Sequence, residues 1–129
     1  MIVGLGNDVC NIARMERVLQ KFGPRFLARS FSPAEQVELQ SRRQNPAAAA
    51  AKKFAAKEAF AKALGSGFVD GMQWSEVEIL HKSGGQPYLK VGGKSAEKLR
   101  NLAPKSKLWL ALSDDFPVAA AVVIIETVE

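Results

Sequence analysis

The feature that most constrains the fold of this chain is an alanine-rich segment, PAAAAAKKFAAKEAFAKALG, at residues 46–65. Alanine, lysine and glutamate are strong helix formers, so the segment predicts one long helix. Asn45-Pro46 suits its start, because proline fits the first helical turn, and Gly65 suits its end. Alanine side chains also let other backbone approach closely. We therefore interpret this helix as a central packing element rather than a linker.

The first half of the chain predicts a strand followed by helices. An apolar run at residues 1–5 predicts a buried strand. Helical spacing then places Ile12, Met15, Leu19 and Phe22 on one stripe, until Gly23-Pro24 ends the helix. Ser32 and Glu35 form a capping box around Pro33, which predicts a further helix to about Arg43.

The second half predicts two hairpins separated by a short helix. The predicted elements are strands at 74–80 and 87–91, a helix at 95–102 capped by Ser95, and strands at 108–112 and 118–125, with Asp114, Asp115 and Pro117 in the last connection. This order predicts an α+β domain in which a mainly antiparallel sheet packs against the long central helix.

Length and composition favour a single domain over residues 1–129, large enough to fold around its own core. One cysteine and one histidine exclude an intrachain disulfide framework and leave too few ligands for structural zinc. The longest apolar run, residues 118–125, is too short to span a membrane, and the start lacks the basic region of a signal peptide. We expect a cytoplasmic protein without a membrane partner.

The positive charge is concentrated near the N-terminus. The chain carries 18 basic and 13 acidic residues, a net charge of +5. Helical spacing places Arg14, Arg17 and Lys21 on one ridge, and Arg25 and Arg29 follow. Such a surface attracts nucleic acid, anionic lipid, phosphorylated ligands or an acidic protein, and it also simply favours solubility. Composition leaves these alternatives open.

Three features could support phosphate chemistry. Asp8 follows the first strand, Glu58 and Lys62 lie four residues apart in the long helix, and Gly65-Ser66-Gly67 follows that helix. Each also has an ordinary structural interpretation: an N-cap, a surface ion pair and a C-cap turn. Two carboxylates and a lysine could form a magnesium–phosphate site, since magnesium takes one or two carboxylates with water and phosphate oxygens. Spacing alone does not decide between these alternatives.

Four segments together resemble one family, the holo-acyl-carrier-protein synthases. The opening GLGND is similar to its G-[IL]-G-x-D motif, and KFAAKEAFAKALGSG resembles its R-F-A-x-K-E-A-x-x-K-A-x-G-T-G block. GGQPYL looks like its G-K-P hairpin, and AAAVVIIE is similar to its last strand. The matches follow the family's order and spacing and span nearly the whole chain, and the GSG segment retains a hydroxyl at Ser66.

The resemblance implies a 4′-phosphopantetheinyl transferase fold and activity. The family transfers 4′-phosphopantetheine from coenzyme A to a serine of apo-acyl carrier protein, in fatty acid biosynthesis, and releases adenosine 3′,5′-bisphosphate with Mg²⁺ required. By this resemblance Asp8 and Glu58 are metal ligands, and with Lys62 they form the catalytic set, with Glu58 a candidate for accepting the serine proton. Contacts to coenzyme A are implied at Lys53, Lys62, Gly65, Ser66, Gly67, Pro87 and Ser113. The acidic carrier is expected to dock on Arg14, Arg17, Lys21 and Arg25, and the family forms homotrimers with active sites between subunits.

The chain departs from the family pattern at three positions. Trp109 and Asp114 stand where many members have histidines, and Lys53 replaces an arginine and its bidentate fork. His81 matches no catalytic position, which favours a structural role.

Two alternative functions stay open: a nucleic-acid-binding module that uses the basic ridge, or the family fold without its activity. The first lacks the interleaved aromatic residues of single-strand binders, and the retained Asp8, Glu58 and Lys62 argue against the second.

Overall fold

The described chain, residues 1–41 and 45–129 of a computed structural model, is built from five strands and four α-helices. In order these are β1 (Ile2–Asn11), α1 (Ile12–Ser30), α2 (Pro33–Ser41), α3 (Pro46–Leu64), β2 (Val77–His81), β3 (Pro87–Val91), α4 (Gly93–Leu102), β4 (Ser106–Asp115) and β5 (Val118–Thr127). A 3-10 turn at Trp74–Glu76 precedes β2. The predicted α+β class is confirmed.

The strands form two antiparallel sheets. One has three strands in the order β1-β5-β4, and the other is the β2-β3 hairpin. Strand β5 therefore pairs on both edges, which places the first and last parts of the chain side by side. The alternation of buried and exposed residues along β5 shows that one face of the larger sheet packs inward.

Helix α3 lies at the centre of the molecule. The Asn45 side chain caps its start by accepting the amide of Ala47, and Gly65 ends it in the left-handed conformation, as predicted. Its C-terminal half packs against β5 and β2 around Phe60, while its N-terminal half packs against α1 and α2. A helix surrounded on several sides by protein needs small, apolar side chains on most of its surface, and the alanine run supplies them.

Strand β1 crosses α3 unusually closely. A methyl group at Gly4 would collide with the Ala63 carbonyl, and one at Gly6 would collide with the Ala59 carbonyl and lie 2.7 Å from the Ala63 amide nitrogen. Glycine on the strand and alanine on the helix therefore bring the two backbones together. This contact positions the residues that follow Gly6 on β1 beside the C-terminal half of α3.

Helix α1 differs from its predicted form. It continues past Gly23-Pro24 to Ser30, with a kink at Gly23, whose φ is 30°. The expected apolar stripe is buried at Ile12 and Met15, but Phe22 is 48% exposed, because the kink turns the chain at this point. Proline is compatible with the continuation because it follows the kink and begins the second helical limb.

Two further predictions concern the N-terminal elements. The first strand runs beyond residue 5 to Asn11, whose side chain caps α1, so Asp8 lies within the strand and is not an N-cap. The reciprocal capping box between Ser32 and Glu35 is confirmed, and the described part of α2 ends at Ser41. The predicted helix end at Arg43 lies outside the described residues.

The hairpin boundaries are also revised. Trp74 begins a 3-10 turn rather than a strand, and β2 starts at Val77. Helix α4 starts at Gly93, before the predicted Ser95 cap, and Ser95 donates its amide to Glu76. Asp114 and Asp115 lie in β4, because its pairing with β5 continues to the Asp115–Val118 pair. No helix among the described residues is long and apolar enough to cross a membrane.

Candidate active site

The close crossing of β1 and α3 brings together the three residues predicted to form the catalytic set. The Lys62 ammonium lies 3.0 Å from Asp8 Oδ1 and donates to the Asn7 carbonyl at 3.1 Å. Lys62 thus reaches across to the strand, so its partner is Asp8 rather than the Glu58 expected from helical spacing alone. Glu58 stands one turn earlier on α3, and its carboxylate interacts electrostatically with both Asp8 and Lys62.

Asp8 and Glu58 share a cleft of about 260 Å³, which we call the carboxylate cleft. Arg14 also lines it, at the start of α1. The remaining lining residues are mainly apolar: Val9, Cys10, Met15, Val18, Phe26 and Phe54. The cleft therefore combines two anionic groups, one cation and a largely apolar wall, as small-molecule sites commonly do.

The electrostatics of the carboxylate cleft suit a divalent cation. Partial burial and the neighbouring Asp8 charge raise the pKa of Glu58, and Lys62 offsets only part of this effect. Two carboxylates held together in this way repel each other, and a bound cation would remove the repulsion. No cluster of three His, Cys, Asp or Glu side chains occurs in the described chain, so a metal here would complete its shell with water or substrate oxygens. Mg²⁺ binds in this manner, and the donor set fits it.

The glycine-rich turn after α3 lies at the end of a row of aromatic rings. Phe68, directly after Gly65-Ser66-Gly67, packs on Trp74 with ring centroids 3.9 Å apart. Trp74 stacks on Phe54 at 4.8 Å, and Phe54 packs on Phe26 of α1 at 6.0 Å. We call these four rings the aromatic row. It connects the glycine-rich turn with the wall of the carboxylate cleft, and single-sequence patterns gave no signal for it.

The remaining coenzyme A candidates lie apart from the carboxylate cleft. Pro87 begins β3 and lines another cleft, of about 310 Å³, with Lys52, His81, Gly85 and Leu112. Ser113 is exposed on β4 and pairs with Ala120. The two clefts share no lining residue, so Lys62, which contacts Asp8 of the carboxylate cleft, and Pro87 belong to different clefts within one chain.

Lys53 is placed differently from what a ligand contact requires. Its side chain is 1% exposed, and its ammonium donates to Glu38 Oε1 at 2.6 Å and to the Ile79 carbonyl. The same Glu38 oxygen lies 2.9 Å from His81 Nδ1. Within this chain Lys53 therefore ties α3 to α2 and β2, and its charge is compensated internally.

A second buried ion pair lies one turn further along α3. Lys57 and Glu35 are both fully buried, and Lys57 Nζ lies 2.7 Å from Glu35 Oε1. Burial lowers the pKa of Lys57 to about 8, although Glu35 opposes the shift. The sequence pattern does not indicate this burial, because an alanine-rich helix has no polar face that would identify an inward-facing lysine.

The predicted docking residues Arg14, Arg17, Lys21 and Arg25 are all exposed on α1, and we call them the docking ridge. Arg14 stands where the ridge meets the carboxylate cleft. A partner bound along this ridge would therefore reach Asp8 and Glu58 without crossing the molecule.

The two departures at the family's histidine positions, Trp109 and Asp114, lie on β4 of the larger sheet. Trp109 is 46% exposed, donates its indole N–H to Glu126 at 3.0 Å, and has the Lys107 ammonium 4.2 Å from its ring centroid. Asp114 forms an ion pair with Lys52 at 3.0 Å. Both substituted side chains therefore have partners within the chain.

Comparison with known proteins identifies the family. The model of the 4′-phosphopantetheinyl transferase superfamily matches residues 4–121. A holo-acyl-carrier-protein synthase of Sinorhizobium medicae is 43% identical over an alignment that covers 98% of this chain and 92% of the relative. The chain belongs to the holo-acyl-carrier-protein synthases. The family and the enzyme class predicted from the sequence are thus confirmed.

Solved structures of the synthase family share the fold. The crystal structure of a holo-acyl-carrier-protein synthase from Neisseria meningitidis has a TM-score of 0.87 and 34% identity, covering 98% of this chain and 100% of that one. The synthase of Helicobacter pylori, solved in complex with coenzyme A, has a TM-score of 0.79 and 29% identity, with 95% and 99% covered. The predicted 4′-phosphopantetheinyl transferase fold is therefore confirmed.

Proposed function

We propose that this synthase transfers 4′-phosphopantetheine from coenzyme A to a serine of apo-acyl carrier protein, with Mg²⁺ bound by Asp8 and Glu58. The observation that carries the proposal is the carboxylate cleft, where two carboxylates meet beside the Lys62 ammonium at the foot of a basic helix. Family membership supports this reaction. The cleft contains two carboxylates that suit a metal ion and, beside them, an ammonium group that suits a pyrophosphate.

In this reaction the serine oxygen forms a bond to the β-phosphorus of coenzyme A, and the bond to the departing adenosine 3′,5′-bisphosphate breaks. A bound Mg²⁺ would supply charge neutralisation for the pyrophosphate and the leaving group. Lys62, which is 54% exposed beside Asp8, provides a mobile point charge for the departing phosphate. Glu58, which lines the carboxylate cleft beside Arg14, takes the serine proton directly or through a water.

The proposal places the complete coenzyme A site between subunits of a homotrimer. Lys62 and Gly65-Ser66-Gly67 would come from one subunit, and Pro87 and Ser113 from its neighbour. The separation of these two groups within one chain supports this arrangement. The outward face of the β1-β5-β4 sheet supports it as well. Its exposed apolar residues, which we call the outer sheet face, are Leu5, Val9, Trp109 and Val122.

The carrier would bind along the docking ridge. Acyl carrier proteins are acidic, so the exposed cations would speed encounter and set the orientation of the complex. Because Arg14 also lines the carboxylate cleft, the carrier serine would enter beside Glu58. The product carries the thiol arm used in fatty acid biosynthesis, and we expect the enzyme to act in the cytoplasm.

The test is intact-mass spectrometry of an apo-acyl carrier protein incubated with this protein, coenzyme A and Mg²⁺, with and without a chelator. A mass gain of one phosphopantetheine that the chelator abolishes is expected. No gain, with a carrier that a known synthase modifies under the same conditions, would refute the proposed reaction.

Variants test the two proposed roles of Glu58, as a metal ligand and as the acceptor of the serine proton. We expect Glu58→Gln to abolish the mass gain, whereas Asp70→Asn, at an exposed carboxylate that pairs with Lys98, leaves it intact. Metal binding is then measured on Glu58→Gln itself. Retained metal affinity with lost turnover indicates the proton-accepting role, and unchanged turnover removes that role. Joint loss shows that Glu58 is a metal ligand without separating the two roles.

A further inference from the structure

The Lys57 ammonium is held from several directions inside the protein. It donates to Glu35 Oε1 at 2.7 Å, to the Trp74 carbonyl at 2.9 Å and to the Val77 carbonyl. Glu35 is anchored in turn, since its other oxygen accepts the amide of Ile79 at 3.0 Å. Lys57 therefore joins α3 to α2, to the 3-10 turn and to β2 through one buried atom.

Such a polar anchor matters because the other buried side chains of α3 are mostly small. Besides Lys57, the helix has eleven buried residues, which are nine alanines and the larger Lys53 and Phe60. Helices normally fix their rotation by interlocking large side chains, and alanine faces offer little to interlock. A buried polar pair can specify register where apolar packing does not.

The anchor lies next to Glu58 in sequence and on a different side of the helix. Successive helical residues are about 100° apart around the axis, so Lys57 faces α2 and β2 while Glu58 faces the carboxylate cleft. A rotation of α3 that moved one side chain would move the other by the same angle. Fixing the Lys57 ammonium thus fixes the direction of the Glu58 carboxylate.

A second connection reaches the same cleft through the aromatic row. The Trp74 carbonyl accepts a hydrogen bond from Lys57, and the Trp74 ring stacks on Phe54. Phe54 lies one helical turn before Glu58 and lines the carboxylate cleft beside it. Loss of the anchor would therefore loosen both a metal-ligating side chain and the wall next to it.

We propose that the buried Lys57–Glu35 pair is a positioning device, which aims Glu58 at Asp8 and so sets the metal affinity and turnover of the site. The inference rests on the proposed function, because it takes Asp8 and Glu58 as the metal ligands. Both side chains are fully buried and so out of reach of a substrate, which makes both positioning residues. The expected loss is of the size found when residues that orient metal ligands are replaced, about 10–100-fold in affinity or rate.

The test uses the double variant Glu35→Gln/Lys57→Met. It leaves no unpaired buried charge, and glutamine retains one acceptor oxygen, which can serve either the Ile79 amide or the Ser32 amide. Binding of Mn²⁺, a paramagnetic substitute for Mg²⁺, is measured by electron paramagnetic resonance, and turnover by carrier mass gain. We expect a folded protein with the Mn²⁺ dissociation constant raised about tenfold and turnover lowered at least tenfold.

Glu38→Gln provides the matched control. Glu38 lies on the same helix as Glu35 and pairs with Lys53, one turn away from Lys57 and further from Glu58. This variant should lower the melting temperature but leave Mn²⁺ affinity unchanged. If both variants weaken Mn²⁺ binding equally, general loosening of α2 explains the effect and the proposal is overturned.

Other outcomes are equally decisive. A folded double variant with wild-type Mn²⁺ affinity and turnover overturns the proposal. If the double variant does not fold, the single Glu35→Asp variant, which keeps both buried charges but shortens the anchoring side chain by one methylene, is judged by the same two measurements. If the wild-type protein binds Mn²⁺ but modifies no carrier, the proposed reaction fails while the Mn²⁺ comparison still decides the positioning role.

Discussion

Replacing Gly6 with alanine should separate β1 from α3 and disable the site. The added methyl group would lie 2.7 Å from the Ala63 amide nitrogen and closer still to the Ala59 carbonyl. Ordinary carbon contacts need about 3.5–4 Å, so the backbones must move apart by about 1 Å. Because the obstructing atoms belong to the α3 backbone, no side-chain rotation relieves the contact.

The expected cost combines stability and activity. Overpacking of this kind destabilises a core by about 1–3 kcal/mol, which lowers the melting temperature of a chain of this size by roughly 5–10 °C. Asp8 lies two residues further along β1, so it moves away from Glu58 with the strand. A displacement of about 1 Å in a catalytic group costs about 100-fold in rate.

The assay compares Gly6→Ala with Gly84→Ala at equal protein concentration, by thermal melting and by carrier mass gain. Gly84 has open space around its added methyl group, so its replacement should leave both measurements near wild type. A Gly6→Ala protein that melts and turns over like wild type would refute the close-packing argument.

Three further predictions test the docking ridge, the outer sheet face and the Glu38 network. Arg14→Glu should raise the KM for carrier about tenfold at low salt and leave the KM for coenzyme A unchanged. The control Arg100→Glu, on α4, should change neither constant. An equal rise in both constants would argue against carrier docking on this ridge. Val122→Lys, on the outer sheet face, should dissociate the proposed trimer in sedimentation experiments. The control Val37→Lys, at an exposed site on α2, should leave the trimer intact. A Val122→Lys protein that remains trimeric would place the interface elsewhere. Partial burial raises the pKa of Glu38, but hydrogen bonds from Lys53 and His81 outweigh it and lower the pKa from 4.5 to about 2. The carboxylate therefore contributes stability of about 3 kcal/mol that is present above pH 4.5 and lost as the pH falls towards 2, and acid unfolding of Glu38→Gln should lack this component.

Much of the local structure could be predicted because short-range chemistry decides it. The capping box at Ser32, the start of α3 at Asn45-Pro46 and its left-handed end at Gly65 all depend on residues within one helical turn. The predicted helix end at Gly23 is the end of the first limb of α1, where the backbone leaves the helical conformation, but the second limb after it was not predicted. That limb packs Phe26 against Phe31, which follows it.

The sequence alone also predicted the members of the candidate site. The family motif identified Asp8, Glu58 and Lys62 as one set, although Asp8 is some 50 residues from the other two. Spacing suggested that Lys62 would pair with Glu58 on the helix surface, and the structure pairs it with Asp8 instead. This change of partner requires β1 to lie against α3. Only the close crossing of the β1 glycines and the α3 alanines permits that contact.

Burial of charge was decided by tertiary structure. Lys53, Lys57 and Lys62 are equivalent in local sequence, since all lie in the same alanine-rich helix. The first two are buried because α2 places Glu38 and Glu35 opposite them, while Lys62 lies beyond α2 and extends along β1 to Asp8. Helix propensity is local and could be assessed from the residues themselves. The cost of burying an ammonium group depends on a partner far away in the chain, and only the folded arrangement supplies it.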